Sequence, residues 1–164
     1  MAKRKKKYRI VTPSESENLG LIRDFVGRLA HRAGFNEDHV NKIQVAVDEA
    51  CTNVVQHAYP NGPAGPIDVE VVCNSEKFQI AISDKGVGFH PETLEKPNMV
   101  DYLNEFKKGG LGIHLIQTLM DEVSFRIHPR KKNTVFMTKY INREETPEEL
   151  KRQAIVLEKT RKLR

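Results

Sequence analysis

Three short stretches carry polar groups and glycines that ordinary packing does not ask for. In VDEACTNVVQHAY, residues 47–59, Glu49, Asn53 and His57 recur every fourth residue. Side chains four apart on a helix meet, so Glu49 and Asn53 would present a carboxylate and an amide oxygen to one ligand. In AISDKGVGF, residues 81–89, Asp84 ends the alternating run Phe78, Ile80, Ile82 and is followed by Gly86 and Gly88. The alternation aims the carboxylate where apolar side chains point, and a buried carboxylate needs donors. The glycines permit positive φ and a close backbone approach to something flat; an amino-bearing base would supply both donor and plane. In KKGGLGIHLIQTLMDEV, residues 107–123, Gly109, Gly110 and Gly112 precede or open a helix, with Lys107 and Lys108 beside them. Free N–H groups and the helix dipole attract phosphate at such a start.

Each stretch also has a plainer reading: a polar helix edge facing water, a strand-end Asp closing a turn on its own backbone, and an ordinary Gly-rich helix start. Neither the GxxxxGK[ST] phosphate loop nor a dinucleotide fingerprint is matched. No Lys-Ser or Lys-Thr follows the glycines, and no strand leads straight into them.

The elements that must position these groups are legible from periodicity and caps. Ser14, with Glu17 three residues on, matches a capping box and predicts a first helix with the stripe Leu19, Ile22, Val26, Leu29, running to about Arg32 and stopped by Gly34. Asn36 caps the next helix, with Glu37 and Asp38 in its positive first turn. Its buried stripe is Val40, Ile43, Val47, Ala50 and Val54, and Pro60 to Gly65 end it near Ala58. At 100° per residue, Glu49 and Asn53 fall roughly 140° and 100° from the centre of that stripe, on a flank that would border a cleft.

Ile67, Val69, Val71 and Cys73, then Phe78, Ile80 and Ile82, predict an antiparallel hairpin. The stretch from Gly86 to Gly110 is long for a structureless connection and so a candidate for function. A helix opening at Gly112 presents Ile113, Ile116 and Met120, and strands around Val123 to Ile127 and Thr134 to Tyr140 close the domain. Thr146 caps a last helix, Pro147 suits its first position, and Leu150, Ala154 and Leu157 give it a narrow apolar face. Docking of that face on the domain and docking on a partner are both open. The architecture expected is α+β: a two-layer sandwich of a mostly antiparallel mixed sheet covered on one face by three helices.

At 164 residues the chain is expected to form one core. With 38% hydrophobic and 30% charged residues it has the composition of a globular protein, and no apolar run reaches membrane-spanning length. The opening MAKRKKK resembles the charged front of a secretory signal, but Tyr8 to Ser16 supplies no apolar stretch or small-residue cleavage site, so the cytoplasm is expected. Cys51 and Cys73 lack zinc or redox spacing and read as core thiols. The formal charge of +5 concentrates in Lys3 to Lys7 and Lys151 to Arg164. No aromatic residues interleave with the first cluster to stack on bases, which favours solvated tails over a nucleic-acid surface. The expected organisation is a basic tail at 1–7, one folded domain at 8–142 and a charged helical tail at 143–164.

In order and spacing, Glu49 to Asn53, Asp84 to Gly88, the 89–108 connection and Gly109 to Gly112 together resemble the Bergerat-type ATP-binding fold of DNA gyrase, Hsp90, MutL and the histidine kinases. DEACTNVVQHAYP, DKGVGF, GGLGIHLIQTLMDEV and TVFMTKY narrow the likeness, across about residues 8–141, to the anti-sigma-factor serine kinases of the RsbW and SpoIIAB type.

The resemblance implies that Asp84 accepts the adenine amino group, that Gly86 and Gly88 shape the base pocket, and that Thr134 supports it from the last strand. It further implies that Asn53 holds Mg2+ with the phosphates of ATP. Glu49 would serve as general base or positioner for the attacking hydroxyl, and Gly109, Gly110, Leu111 and Gly112 would wrap the phosphates. Asn133 stands where many relatives have Gly, and His57 is expected to make a helix-end hydrogen bond rather than act in catalysis. The implied partners are an anti-anti-sigma STAS protein, which is phosphorylated, a sigma factor, which is sequestered, and a second copy of the chain in a homodimer formed through the first strand and helix. A nucleotide-gated binding regulator without catalysis is the alternative, and retained Glu49 counts against it.

Overall fold

The computed structural model describes residues 4–88 and 112–163. Five strands, β1 (Lys6–Pro13), β2 (Pro66–Cys73), β3 (Lys77–Asp84), β4 (Glu122–His128) and β5 (Lys132–Tyr140), form one sheet in the order β1-β2-β3-β5-β4. All the pairings are antiparallel, so the mixed component expected from sequence is not present among the described residues. β1 precedes the first element that periodicity picked out. It lies at an edge and seals little: Tyr8 and Ile10 are only half-buried.

Helices α1 (Leu19–Ala33), α2 (Glu37–Asn53) and α3 (Gly112–Leu119) cover one face of the sheet. Ile22 and Val26 of α1, Ile43 and Val47 of α2, and Ile116 of α3 meet Ile67, Val69, Phe78, Ile80 and Met137 in one continuous core. No helix among the described residues is long and apolar enough to cross a membrane. Cys51 is buried in this core, which pushes its thiol up.

Several local signals act as written. Gly34 takes φ 104° after α1, and its N–H reaches the carbonyls of Ala30 and His31. Asn36 Oδ1 accepts from the His39 N–H at 2.9 Å. The Ser14–Glu17 capping box does not form. The Ser14 N–H instead donates to Gly65 O at 3.1 Å where the β1–β2 ladder ends, its Oγ is buried without a partner among the described residues, and a 3-10 turn, Ser16–Asn18, leads into α1. The tertiary bond at the strand end overrides the local motif.

The last helix, α4 (Pro147–Leu163), packs on the domain, with Val156 against Leu115 and Leu119 of α3 and Leu157 beside them. Thr146 and Glu149 close its start reciprocally: Thr146 N–H to Glu149 Oε2 at 2.8 Å, and Glu149 N–H to Thr146 Oγ1 at 3.1 Å. Just before it, Glu145 accepts from Lys139 Nζ at 2.8 Å and Lys42 Nζ at 3.1 Å, and Arg143 bridges Asp121 and Glu149. Lys42 and Lys139 are 2% and 1% exposed, so this network ties the tail to α2 and β5 from inside.

Candidate active site

The row on α2 comes first, because that helix is held by its apolar stripe and leaves its flank to a cleft. Glu49 and Asn53 are half-buried at its C-terminal end. Beyond Asn53 the helix widens into a π-helical turn, Val54–Ala58, rather than continuing as α to Ala58. Such turns are rare and gather at functional sites. This one delivers the Ala58 carbonyl to the Val87 N–H at 2.9 Å, joining the helix end to the glycine segment after β3.

Gly86 is required at that junction. A Cβ on it would stand 2.1 Å from Ala58 O, so its absent side chain serves backbone packing, and Gly86 is not among the residues facing the cavity. Gly88 does face the cavity, with φ 74°, a conformation that L side chains rarely adopt.

Asp84 follows Phe78, Ile80 and Ile82 on the helix-facing side of β3, as the alternation requires. Its Oδ1 accepts from the Gly86 N–H at 2.8 Å and from Asn133 Nδ2 at 3.0 Å. The first bond is the turn on its own backbone that the plainer reading foresaw, and the carboxylate borders the cavity as well, so the two readings coexist. Thr134 also borders the cavity, but its hydroxyl is shared with Ser83 Oγ at 2.8 Å. Of the two adjacent β5 residues, Asn133 is the one that touches Asp84.

The cavity between α2, α3 and the sheet has a volume of about 240 Å³. Asn53, His57, Asp84, Gly88, Gly112, Asn133 and Thr134 line its polar parts, and Ile82, Ile113, Phe125, Ile127 and Val135 its apolar walls. At its far end the start of α3 meets the α2 row. A Cβ on Gly112 would stand 3.2 Å from Asn53 Nδ2 and 3.3 Å from both Asn53 Oδ1 and Glu49 Oε2. The positive end of α3 thus sits against a carboxylate and an amide, with the Asp84 carboxylate on the opposite strand ends of the same cavity.

Gly109, Gly110, Leu111 and the 89–108 connection lie outside the described residues. His57 is exposed at the cavity edge, and among the described residues it makes no helix-end hydrogen bond, contrary to expectation; the π turn displaces it from the α register. Phe125 and Ile127 are cavity residues that sequence reasoning did not single out, and Asn133, noted there only as standing in place of a Gly, lines the cavity as well. The parity of β4 and β5 carries the signal: Val123, Phe125 and Ile127 share one side of β4, and Asn133 lies on the side of β5 that carries Val135 and buried Met137.

The donors fit a magnesium–nucleotide complex. Such an ion uses one or two side-chain oxygens and takes its other ligands from phosphates and water, and Asn53 Oδ1, beside Gly112 at the start of α3, is a side-chain oxygen of that kind.

Residues 12–139 match the family model for the histidine kinase-like ATPase domain. The chain is 36% identical over 140 residues to the serine-protein kinase RsbW of Bacillus licheniformis, spanning 81% of this chain and 84% of that one. Against the RsbW of Bacillus cereus (strain AH187) the identity is 36% over 154 residues, covering 88% and 91%. Against that of Bacillus subtilis (strain 168) it is 35% over 139 residues, covering 80% and 84%. A solved structure of the RsbU and RsbW domains of a Mycobacterium tuberculosis protein superposes with a TM-score of 0.61 at 16% identity, over 85% of this chain and 33% of that one, a likeness of fold. The chain belongs to the histidine kinase-like ATPase domain family and, within it, to the RsbW serine-protein kinases.

Proposed function

We propose that this kinase uses ATP and Mg2+ to phosphorylate a serine of an anti-anti-sigma STAS protein, and that in its alternative state it holds a sigma factor inactive. The observation that supports the catalytic part is the packing of Gly112 against Asn53 and Glu49, a helix start of the kind that attracts phosphate beside the side chains read here as metal ligand and base.

In this reading Asp84 receives the adenine amino group, Gly88 leaves room for the base, and the apolar walls exclude water around it. The backbone amides of Gly109, Gly110, Leu111 and Gly112 wrap the phosphates. Asn53 would hold Mg2+, which would supply positive charge to the phosphates. Glu49 accepts the proton of the attacking serine as the bond from serine oxygen to the γ-phosphorus forms and the bond to the bridging oxygen of ADP breaks. Phosphoryl transfer asks chiefly for such positioning and charge stabilisation. Thr134 acts behind the base through its bond to Ser83. A homodimer through the β1 edge and α1 is supported by Val11 and Leu21, which are 50% and 56% exposed.

Candidate STAS proteins from the same organism, incubated with ATP, Mg2+ and either wild type or Glu49→Gln, provide the test by mass spectrometry. Serine phosphorylation by wild type alone is expected. No transfer to any candidate while ATP binding persists would favour a nucleotide-gated binding regulator.

A further inference from the structure

Asn133 is 3% exposed, an unusual placement for an amide. It stands directly across the ladder from Asp84. Both of its donor protons are spent: Nδ2 donates to Asp84 Oδ1 at 3.0 Å and to Gly86 O at 2.9 Å. Two acceptors on one side fix which end of the amide is nitrogen, because a turned amide would set its oxygen against both. The cost falls on the other end. Asn133 Oδ1 is buried and has no partner among the described residues, and it lies close to Gly88, where a Cβ would stand 3.0 Å from it. A buried acceptor without a donor destabilises the fold, and an apolar side chain of similar size would avoid that. Stability alone therefore does not explain an asparagine here.

Asp84 supplies the explanation. The Gly86 N–H and Asn133 Nδ2 both donate to Oδ1. Oδ2 accepts no hydrogen bond among the described residues, and it is not one of the buried, partnerless atoms. With Oδ1 held twice, the carboxylate cannot rotate freely, and the group borders the cavity. It then offers one acceptor in one orientation. An exocyclic amino group satisfies that acceptor; a hydrogen leaves it unsatisfied, and a carbonyl oxygen opposes it.

We propose that Asn133 is a positioning residue that sets base selectivity, locking Asp84 Oδ1 so that Oδ2 is the lone acceptor for the amino group of a 6-aminopurine. This rests on the reading of the cavity as an ATP site. The test compares binding of ATP with binding of purine riboside 5′-triphosphate, which lacks the 6-amino group, and of inosine 5′-triphosphate, which carries oxygen there. Each is titrated calorimetrically with Mg2+ into the full chain.

Wild type is expected to prefer ATP by about 10- to 100-fold, the range of a hydrogen bond to a charged group. In Asn133→Leu, which keeps the volume and removes the donors, ATP affinity is expected to fall about tenfold while the des-amino nucleotide changes little. The preference then collapses to within about threefold. Asn133→Ser, too short to bridge Asp84 and Gly86, is expected to lose preference in the same way and serves if the leucine variant does not fold. An unchanged ratio, or equal weakening of all three nucleotides, would show a merely structural residue and overturn the proposal. Failure of wild type to bind ATP at all would instead remove the ATP-site reading beneath it.

Discussion

Replacing Glu145 by Gln removes the one carboxylate shared by two buried ammonium groups. Burial pushes the Glu145 carboxyl up, and the hydrogen bonds and charges of Lys139 and Lys42 overcome this, holding it down at about 2 against an ordinary 4.5. A depression of that size corresponds to about 3 kcal/mol of stability at full strength. Screening at the open rim of the network, where Arg143 is 38% exposed, brings the figure nearer about 2 kcal/mol. The substitution also strands Lys139 and Lys42, and breaking a buried pair costs about 3–5 kcal/mol. Asp38, 2.8 Å from Lys42 Nζ, and Asp121, 3.8 Å from Lys139 Nζ, offset part of that loss. The expected destabilisation is about 2–4 kcal/mol at pH 7.

The sign with pH follows from the depression. A carboxyl held below its unfolded value contributes fully above about 4.5 and loses that contribution as pH falls towards about 2. Urea unfolding of wild type and Glu145→Gln at pH 7 and pH 3 is the assay, and the gap between them should narrow by roughly 1–2 kcal/mol at the lower pH. A loss below about 0.5 kcal/mol at pH 7, or a gap that widens on acidification, would refute the reasoning.

Three further outcomes are expected. Gly86→Ala forces a methyl against the Ala58 carbonyl and should cost about 1–3 kcal/mol or more, lowering the melting temperature by about 2–4 °C per kcal/mol; an unchanged melt would contradict the close approach. Thr146→Ala breaks the reciprocal cap of α4 and should cost about 1 kcal/mol, read by the same melt; no loss would mean the cap is not formed in solution. Glu49→Gln should abolish phosphoryl transfer to a protein serine in a γ-labelled ATP assay with Mg2+, and a variant that still transfers at the wild-type rate would remove Glu49 from its role.

The sequence exposed the parts of this protein whose causes are local. Asn36 and Gly34 cap as read because each acts on backbone groups within a few residues. Alternation placed Asp84 on the helix-facing side of β3 because a strand's parity follows directly from its pleat. Two matches to the capping-box pattern had opposite fates. Thr146–Glu149 closes α4, whereas at Ser14 the end of the β1–β2 ladder claims the backbone first. A four-residue pattern carries no information about a bond to Gly65.

The buried lysines were hidden for the same reason. Lys42 sits beside an apolar stripe, and its partner Glu145 is 103 positions away. Within the site, the α2 row was visible from spacing, but the π turn that takes His57 off the row depends on the junction between Ala58 and the Gly86 segment. The parity of β5 was available in the sequence: counting back by two from Met137 reaches Asn133 and passes over Thr134.

The central claim is that Asp84 and the Glu49–Asn53 row serve one nucleotide from opposite ends of one cavity. The most direct measurement is calorimetric titration of ATP with Mg2+ into wild type, Asp84→Asn and Glu49→Gln side by side. Wild type should bind, Asp84→Asn should bind about 10- to 100-fold more weakly, and Glu49→Gln should bind nearly as wild type does. Equal affinity of Asp84→Asn and wild type would contradict the account, because the carboxylate placed against the base would then make no contact with it.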